Sequence, residues 1–275
     1  VTILPGACPG PSVAMIVAGL QFDIAWENPE ENFRRAAPLA QEAAAQGAEI
    51  IALPEMFATG FSMRAKEMAV HANAIRDYIA DLAVRHSLWV IAGYAETGED
   101  RPANSCSVIA PDGREVLHYR KIHPFSLAGE PDHFEAGDNV HTAEIKGVRV
   151  TPLICYDLRF PELFRVSATA TDLFVVIANW PERRAHAWRT LLAARAIDDQ
   201  AWLLGVNRVG EVDGHNFSGD TSLLDPWGKV VATLANEAGI VAGEVDPTVV
   251  RSARERFLFL ADRRPDLYRR LEDED

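Results

Sequence analysis

The sequence contains few cysteines, and their arrangement excludes two kinds of structural site. Only Cys8, Cys106 and Cys155 occur among 275 residues. Their number is odd, no pair has Cys-x-x-Cys spacing, and no close set of Cys and His residues forms a ligand group. These absences argue against a disulfide framework and against a structural zinc site. We therefore expect a cytoplasmic protein without a metal site, in which Cys8 and Cys106 are inert.

Basic residues and long apolar runs are also scarce. Lys and Arg number 27 against 40 Asp and Glu, for a net charge of −13. This balance argues against nucleic acid and anionic membrane surfaces as partners. No apolar run reaches the roughly 18 residues that a membrane span needs. Residues 1–12 lack the positive segment of a secretory signal. We expect them to be a flexible tail before a single domain over 13–275.

Two sequence motifs of other enzyme and binding-protein classes are missing. No Gly-x-Ser-x-Gly sequence is present, which disfavours a serine hydrolase of the α/β type. No Gly-x-Gly-x-x-Gly or phosphate-binding loop is present either, which disfavours a nucleotide-binding module.

What the chain does contain is an alternation of helical and strand-like segments. Helical spacing of apolar residues predicts helices over 29–46, 72–85 and 185–201, with another beginning at Pro161. Short apolar runs predict strands over 13–20, 49–54, 89–94, 105–110, 115–120, 148–154, 173–178, 203–207, 221–224 and 230–234. This order predicts one α/β domain whose mixed sheets are covered by helices.

Three residues with useful chemistry each follow one of these apolar strands. They are Glu55, Lys121 and Cys155. If the strands were neighbours in one sheet, the three side chains would meet at one end. A thiol with a pKa near about 8.5 needs a base to become a nucleophile. Glu55 can accept its proton, while Lys121 and the backbone N–H of Tyr156 can stabilise an oxyanion. Each residue alone is more often a solvated, surface or buried side chain.

The segments around these residues resemble the nitrilase superfamily of carbon–nitrogen hydrolases. The matching segments are 53–57 with 59–62, 119–123 and 155–163. The resemblance implies an α/β fold, the four-layer αββα sandwich of the nitrilase type. It implies a catalytic triad of Glu55, Lys121 and Cys155 that needs no cofactor and no metal. It also implies a homodimer or a higher homo-oligomer.

The resemblance implies a second glutamate between the lysine and the cysteine, and we assign it to Glu130. Its expected role is to orient Lys121 or to assist the water step, and Glu135 is the competing choice.

Further segments are similar to the ω-amidase branch of the superfamily: 179–184, 194–200, 205–210 and 257–268. That branch hydrolyses the terminal amide of small α-keto acid amides, such as α-ketoglutaramate and α-ketosuccinamate, through a cysteine thioester.

A small carboxylate-bearing amide requires a cationic group in the pocket. Arg183 or Arg184 can bind a carboxylate bidentately, because both follow a predicted strand. We expect the remaining pocket residues to be Phe61, Phe125, Asn179 and Trp180.

Three further expectations concern the surroundings of the triad and the class of protein. We expect Asp157 and Arg159 to form a structural ion pair beside Cys155. The catalytic scheme needs no histidine, and none of the eight occupies an obvious orienting motif. Alternatives within the superfamily are a true nitrilase and an N-carbamoyl amidohydrolase. A non-catalytic binding protein on the same fold is the alternative from another class.

Overall fold

Two β-sheets form the centre of the computed structural model, which describes residues 2–4 and 14–273. The strands are β1 (Thr2–Leu4), β2 (Met15–Gln21), β3 (Ile50–Ala52), β4 (Trp89–Glu96), β5 (Ala103–Ile109), β6 (Glu115–Arg120), β7 (His141–Ile145), β8 (Val148–Ile154), β9 (Leu173–Ile177), β10 (Trp202–Val206), β11 (Val209–Val212), β12 (His215–Leu224), β13 (Val230–Ala235) and β14 (Gly239–Val245). The helices are α1 (Pro29–Ala45), α2 (Ala65–Ala69), α3 (Ala72–His86), α4 (Glu130–His133), α5 (Pro161–Ser167), α6 (Ala185–Asp199), α7 (Pro247–Arg256) and α8 (Pro265–Asp273).

The two sheets have similar mixed topologies. The first has the strand order β14-β2-β3-β4-β5-β6, and its central strands β2, β3 and β4 are parallel. The second has the order β1-β7-β8-β9-β10-β12-β11, with β13 paired to β12, and β8, β9 and β10 are parallel. The predicted hairpin of β5 and β6 is confirmed, because these strands pair antiparallel around a turn at Gly113.

The sheets pack face to face, and helices cover their outer sides. Close packing between the sheets is visible at Gly93 of the first sheet, where an added Cβ would lie 2.7 Å from Cδ1 of Ile177 in the second. Helices α1 and α3 bury apolar residues such as Ala40 and Ile79 against the first sheet. Helices α5 and α6 do the same against the second sheet, where Phe164 contacts Phe174. The predicted four-layer αββα sandwich is confirmed.

Local sequence signals account for the best-predicted helices. Helix α1 begins after Asn28, whose side chain accepts a hydrogen bond from the backbone N–H of Glu31. Pro29 stands at the first helical position, where its missing N–H costs nothing. The strands β7, β11 and β14 and the helices α2, α4, α7 and α8 were not predicted. Their sequences mix polar and apolar residues, and two edges of the sheets are formed by them.

Strand β1 lies within residues 1–12, for which we predicted a flexible tail. Thr2–Leu4 pairs in parallel with β7 and extends the second sheet by one strand. The outer side of β7 offers unpaired backbone groups to an extended segment, which explains this pairing. Residues 5–12, including Cys8, lie outside the described residues, so the expectations there stay predictions. Within the described ranges, no helix combines the length and apolarity needed to cross a bilayer.

Candidate active site

Cys155 stands at a strained turn where β8 ends. Its backbone has φ of +48°, in the left-handed region that non-glycine residues rarely occupy. A 3₁₀ turn over Cys155–Arg159 follows at once and leads toward α5. The residue as a whole is partly exposed. Strained backbone of this kind is typical of functional positions, because it holds a side chain at an angle that a regular element would not.

Glu55 and Lys121 are almost completely buried and contact each other. Lys121 Nζ lies 2.9 Å from Glu55 Oε1. The three strands are not neighbours in one sheet. Strands β3 and β6 belong to the first sheet and are separated by β4 and β5, whereas β8 belongs to the second. The three residues meet because the two sheets face each other, so that strand ends from both sheets converge.

Glu130 joins this cluster and Glu135 does not. Glu130, at the start of α4, is fully buried, and its two oxygens lie 3.1 and 2.9 Å from Lys121 Nζ. It also accepts a hydrogen bond from the backbone N–H of Phe125. Glu135 instead accepts hydrogen bonds from the backbone of residues 99–101 and pairs with Arg120 at 2.8 Å. Only Glu130 can therefore influence Lys121 by direct contact.

Asn104 is a member of the cluster that sequence reasoning missed. Its side chain, in β5, donates to Glu55 Oε1 at 2.7 Å and to Glu130 Oε1 at 2.9 Å. Its buried Oδ1 has no hydrogen-bond partner among the described residues. An amide that donates to both carboxylates holds them side by side around the single ammonium of Lys121. The available signal was an asparagine next to a predicted buried strand, since a buried amide needs hydrogen-bond partners.

The electrostatics of the cluster favour a neutral thiol beside a charged ammonium. Burial alone would lower the pKa of Lys121, but Glu130 and Glu55 outweigh it and raise that pKa above its ordinary value. Lys121 therefore stays an ammonium. Burial, followed by repulsion from Glu55, raises the pKa of the Cys155 thiol well above its ordinary value, while Lys121 and the backbone N–H of Asn179 act in the opposite direction. The thiol is therefore protonated at rest and needs a base to become a nucleophile.

A cavity of about 640 Å³ opens onto Cys155 and Lys121. Its lining includes all six residues expected in the substrate pocket: Phe61, Phe125, Asn179, Trp180, Arg183 and Arg184. Phe61 also lies beneath the ammonium of Lys121, 5.0 Å from ring centroid to Nζ. Tyr156 completes the wall beside Cys155, with its ring 4.8 Å from that of Phe125.

Arg159 is a further cationic residue of the cavity. Its guanidinium lies 5.0 Å from the centroid of Trp180, and that of Arg184 lies 5.1 Å from the centroid of Phe125. Arg184 is half-buried, and burial followed by repulsion from Arg183 lowers its pKa. Arg183 is exposed. The aromatic rings hold two guanidinium groups in the cavity that contains the thiol.

The prediction of an ion pair between Asp157 and Arg159 is wrong. Asp157 is fully buried, and its carboxylate bonds to Tyr119, His123 and the backbone N–H of Ile154. The guanidinium of Arg159 points to Trp180 instead. Nδ1 of His123 lies 3.0 Å from Asp157 Oδ1.

Within the part of the chain that the structure describes, no group of three or more His, Cys, Asp or Glu side chains is arranged to hold a metal ion. The side chains that meet at the site are a thiol, two carboxylates, an ammonium and the amide of Asn104.

Comparisons with known proteins point to one family. A sequence profile of the carbon–nitrogen hydrolase family matches residues 16–255. The omega-amidase YafV of Yersinia enterocolitica is 38% identical over 240 residues, covering 86% of this chain and 92% of that protein. The 2-oxoglutaramate amidase of Bacillus subtilis (strain 168) is 32% identical over 256 residues, covering 92% and 98% respectively.

A solved structure shows the same fold. XC1258 from Xanthomonas campestris is described as a CN-hydrolase superfamily protein with an arsenic adduct in the active site. It superposes on this chain with a TM-score of 0.86 at 29% identity, covering 92% of this chain and 98% of its own.

Proposed function

The chain belongs to the carbon–nitrogen hydrolase family and is an amide-hydrolysing enzyme, and from this premise we propose that it cleaves the terminal amide of small 2-oxo acid amides through Cys155. The products are a carboxylic acid and ammonia. The observation that carries the proposal is the placement of two aromatic-held guanidinium groups in the cavity that contains the thiol.

In the first half-reaction, Glu55 accepts the proton of Cys155 and the sulfur attacks the amide carbon. Lys121 and the backbone N–H of Tyr156 bind the resulting oxyanion. Lys121 has three N–H donors for Glu55 and Glu130, and one bifurcated N–H can serve both oxygens of Glu130. That arrangement leaves one donor for the oxyanion. Glu55 returns the proton to the leaving nitrogen, the C–N bond breaks, and ammonia departs from a Cys155 thioester.

In the second half-reaction, water attacks the thioester. Glu55 takes a proton from the water, the C–S bond of the tetrahedral intermediate breaks, and the proton returns to the sulfur. The net change is the addition of one water to the amide. While Glu55 holds the proton it is a neutral acid, and the oxyanion of the tetrahedral intermediate carries the negative charge instead, beside the ammonium of Lys121.

The proposed substrate class follows from the cavity and from the relatives. Arg159 and Arg184 can each bind a carboxylate, and their aromatic supports restrict where that carboxylate lies. Two similar proteins are named omega-amidase and 2-oxoglutaramate amidase. A substrate with an amide at one end and a carboxylate at the other fits this cavity. The amide would lie at the thiol, and the carboxylate at the guanidinium groups elsewhere in the cavity.

Steady-state ammonia release tests this proposal. We expect α-ketoglutaramate to be hydrolysed faster than L-glutamine, a simple nitrile or an N-carbamoyl amino acid. Preference for L-glutamine would contradict the 2-oxo acid assignment, and preference for the nitrile or the carbamoyl compound would support the corresponding alternative. Cys155→Ala should abolish turnover, and mass spectrometry should detect an acyl adduct on Cys155 of the wild-type enzyme. Persistent turnover in Cys155→Ala would refute the mechanism.

The arginines can be separated by mutation. Arg184→Ala and Arg159→Ala should each raise KM about tenfold or more, in line with the roughly 1.5–3 kcal/mol of a charge-assisted hydrogen bond. Arg183→Ala is the matched control, because Arg183 lines the same cavity but is exposed. If only Arg183→Ala raised KM, the carboxylate would bind at the exposed side of the cavity and our assignment would be wrong.

We also propose that the enzyme acts in the cytoplasm as a homodimer. A contiguous group of exposed apolar side chains supports self-association: Ile197, Trp227, Phe257 and Phe259. Exposed apolar patches of this kind are typical of protein interfaces. Light scattering on Trp227→Glu should show a shift from dimer to monomer, and an unchanged mass would exclude this surface. A free, reactive thiol at Cys155 fits a reducing compartment.

A further inference from the structure

Asp157 makes more hydrogen bonds than a side chain needs to cap a turn. Oδ2 accepts from the hydroxyl of Tyr119 at 2.7 Å and from the backbone N–H of Ile154 at 3.1 Å. Oδ1 lies 3.0 Å from both the backbone nitrogen and Nδ1 of His123. Burial, followed by the Asp157 carboxylate, raises the pKa of Tyr119 well above its ordinary value, so the phenol remains a donor. The carboxylate is fully buried and is held by four contacts.

These partners flank the two residues that carry the proposed chemistry. Ile154 directly precedes Cys155, and Tyr119 and His123 lie two residues before and after Lys121. Strand β6, which leads to Lys121, and strand β8, which leads to Cys155, belong to different sheets. No strand pairing in the described ranges connects them. The Asp157 carboxylate is thus a direct polar link between the backbone that carries the ammonium and the backbone that carries the sulfur.

We propose that Asp157 is a positioning residue that sets the distance between the Lys121 ammonium and the Cys155 sulfur. We propose also that His123 is the second residue on which this polar link depends. This inference rests on the proposed roles of Cys155 and Lys121. A carboxylate is required, because all of its lone pairs can accept and all its partners at Tyr119 and at the two backbone nitrogens are donors. An asparagine would turn an NH₂ group toward at least one pair of these donors and release one side of the link.

His123 extends the link into the wall of the cavity. Its ring stacks on Phe160 with centroids 3.6 Å apart and an interplanar angle of 8°. Phe160 in turn contacts Tyr156 edge to face at 5.2 Å. The residue that follows the nucleophile, and whose backbone N–H is proposed to bind the oxyanion, is therefore supported by the same group of side chains. Displacement of His123 would loosen both the ammonium and the oxyanion site.

The main test is Asp157→Asn, which keeps the volume of the side chain. We expect kcat to fall by about 10²-fold or more, since misplacement of reacting groups by about 1 Å costs that much, while KM stays within about threefold. Alkylation of Cys155 by iodoacetamide should become slower, and its pH midpoint should rise, because Lys121 no longer stabilises the thiolate. A purely electrostatic role predicts the opposite, since removing a nearby negative charge lowers the midpoint.

Asp172→Asn is a matched control for the loss of a buried carboxylate. Asp172 accepts hydrogen bonds from the backbone N–H and guanidinium of Arg149, at the opposite ends of β8 and β9 from Cys155. We expect it to lower stability in urea unfolding but to leave kcat and the alkylation profile unchanged. An equal loss of kcat in both variants would show that general destabilisation explains the effect and would overturn the proposal.

A second pair of variants decides the matter if Asp157→Asn does not fold. His123→Asn can retain a side-chain donor near Asp157, whereas His123→Ala cannot. We expect His123→Asn to recover most of the kcat that His123→Ala loses, with KM similar in both. Equal activity of His123→Ala and wild type, or a lowered alkylation midpoint, would overturn the proposal. Cys155→Ala separates the two hypotheses: if it is inactive while the positioning variants are not, only the positioning role fails.

Discussion

Replacing Glu130 by glutamine tests whether the second carboxylate of the cluster controls Lys121. Glu130 accepts from Lys121 and Asn104 at one oxygen and from Lys121 and the backbone N–H of Phe125 at the other. A glutamine can keep only one of these oxygens. In either orientation its NH₂ group faces two donors, so two hydrogen bonds become donor–donor contacts in a buried site.

The expected magnitudes follow from this geometry. Breaking one partner of a buried ion pair costs about 3–5 kcal/mol of unfolding free energy. That is a large share of the 5–15 kcal/mol that stabilises typical domains, so urea unfolding at low temperature should establish that the variant is folded. Lys121 would be free to move away from the oxyanion position, and loss of one such donor lowers kcat by about 10²–10³-fold. KM should change little, because Glu130 does not line the cavity.

Glu135→Gln is the matched control for Glu130→Gln. Glu135 lies five residues further along the chain and binds the loop at 99–101 instead of Lys121. Steady-state ammonia release from α-ketoglutaramate should give a kcat within about threefold of wild type, because Glu135 pairs with Arg120 instead of Lys121 and does not line the cavity. A folded Glu130→Gln enzyme with wild-type kcat, or a larger loss of kcat in Glu135→Gln, would refute the assignment of Glu130.

Three further predictions concern the support of the site and of the fold. Burial raises the pKa of Asp199 from 3.8 to about 6, so the folded chain binds more protons between these values and stability falls as the pH rises through them. Asp199→Asn should remove this fall and add up to about 3 kcal/mol at pH 7 but little at pH 4, measured by urea unfolding; equal gains at both pH values would contradict the reasoning. Asn104→Ala removes the donor shared by Glu55 and Glu130 and should lower kcat about tenfold or more in ammonia-release assays, since each lost bond to a charged group is worth about 1.5–3 kcal/mol. In Gly93→Ala the new Cβ would lie 3.0 Å from the Cα of Glu55, so thermal unfolding should show a loss of about 1–3 kcal/mol together with reduced kcat; normal values of both would show that the backbone adapts.

Much of the fold could be predicted from local patterns. The cap at Asn28, the apolar spacing of α1 and α3 and the short buried runs of β3 and β8 are properties of neighbouring residues, so they can be read without knowing what packs against them. The mixed polar strands at the sheet edges were missed, because they acquire strand structure only by pairing with a partner. The pairing of β14 with β2, more than 200 residues away, is an example.

The sequence alone singled out Glu55, Lys121 and Cys155 as candidates, because each follows a predicted strand, the three residue types suit one reaction, and the segments around them resemble one family. Only the tertiary structure decided how they meet, since the strand ends that carry them come from two facing sheets. It also decided that Asn104 joins the carboxylates, that Asp157 binds His123 and not Arg159, and that Arg159 lies in the cavity. These contacts join residues 20 to 50 positions apart in the sequence. They depend on how the two sheets pack, and this packing leaves no signal in neighbouring residues, whereas local propensity does.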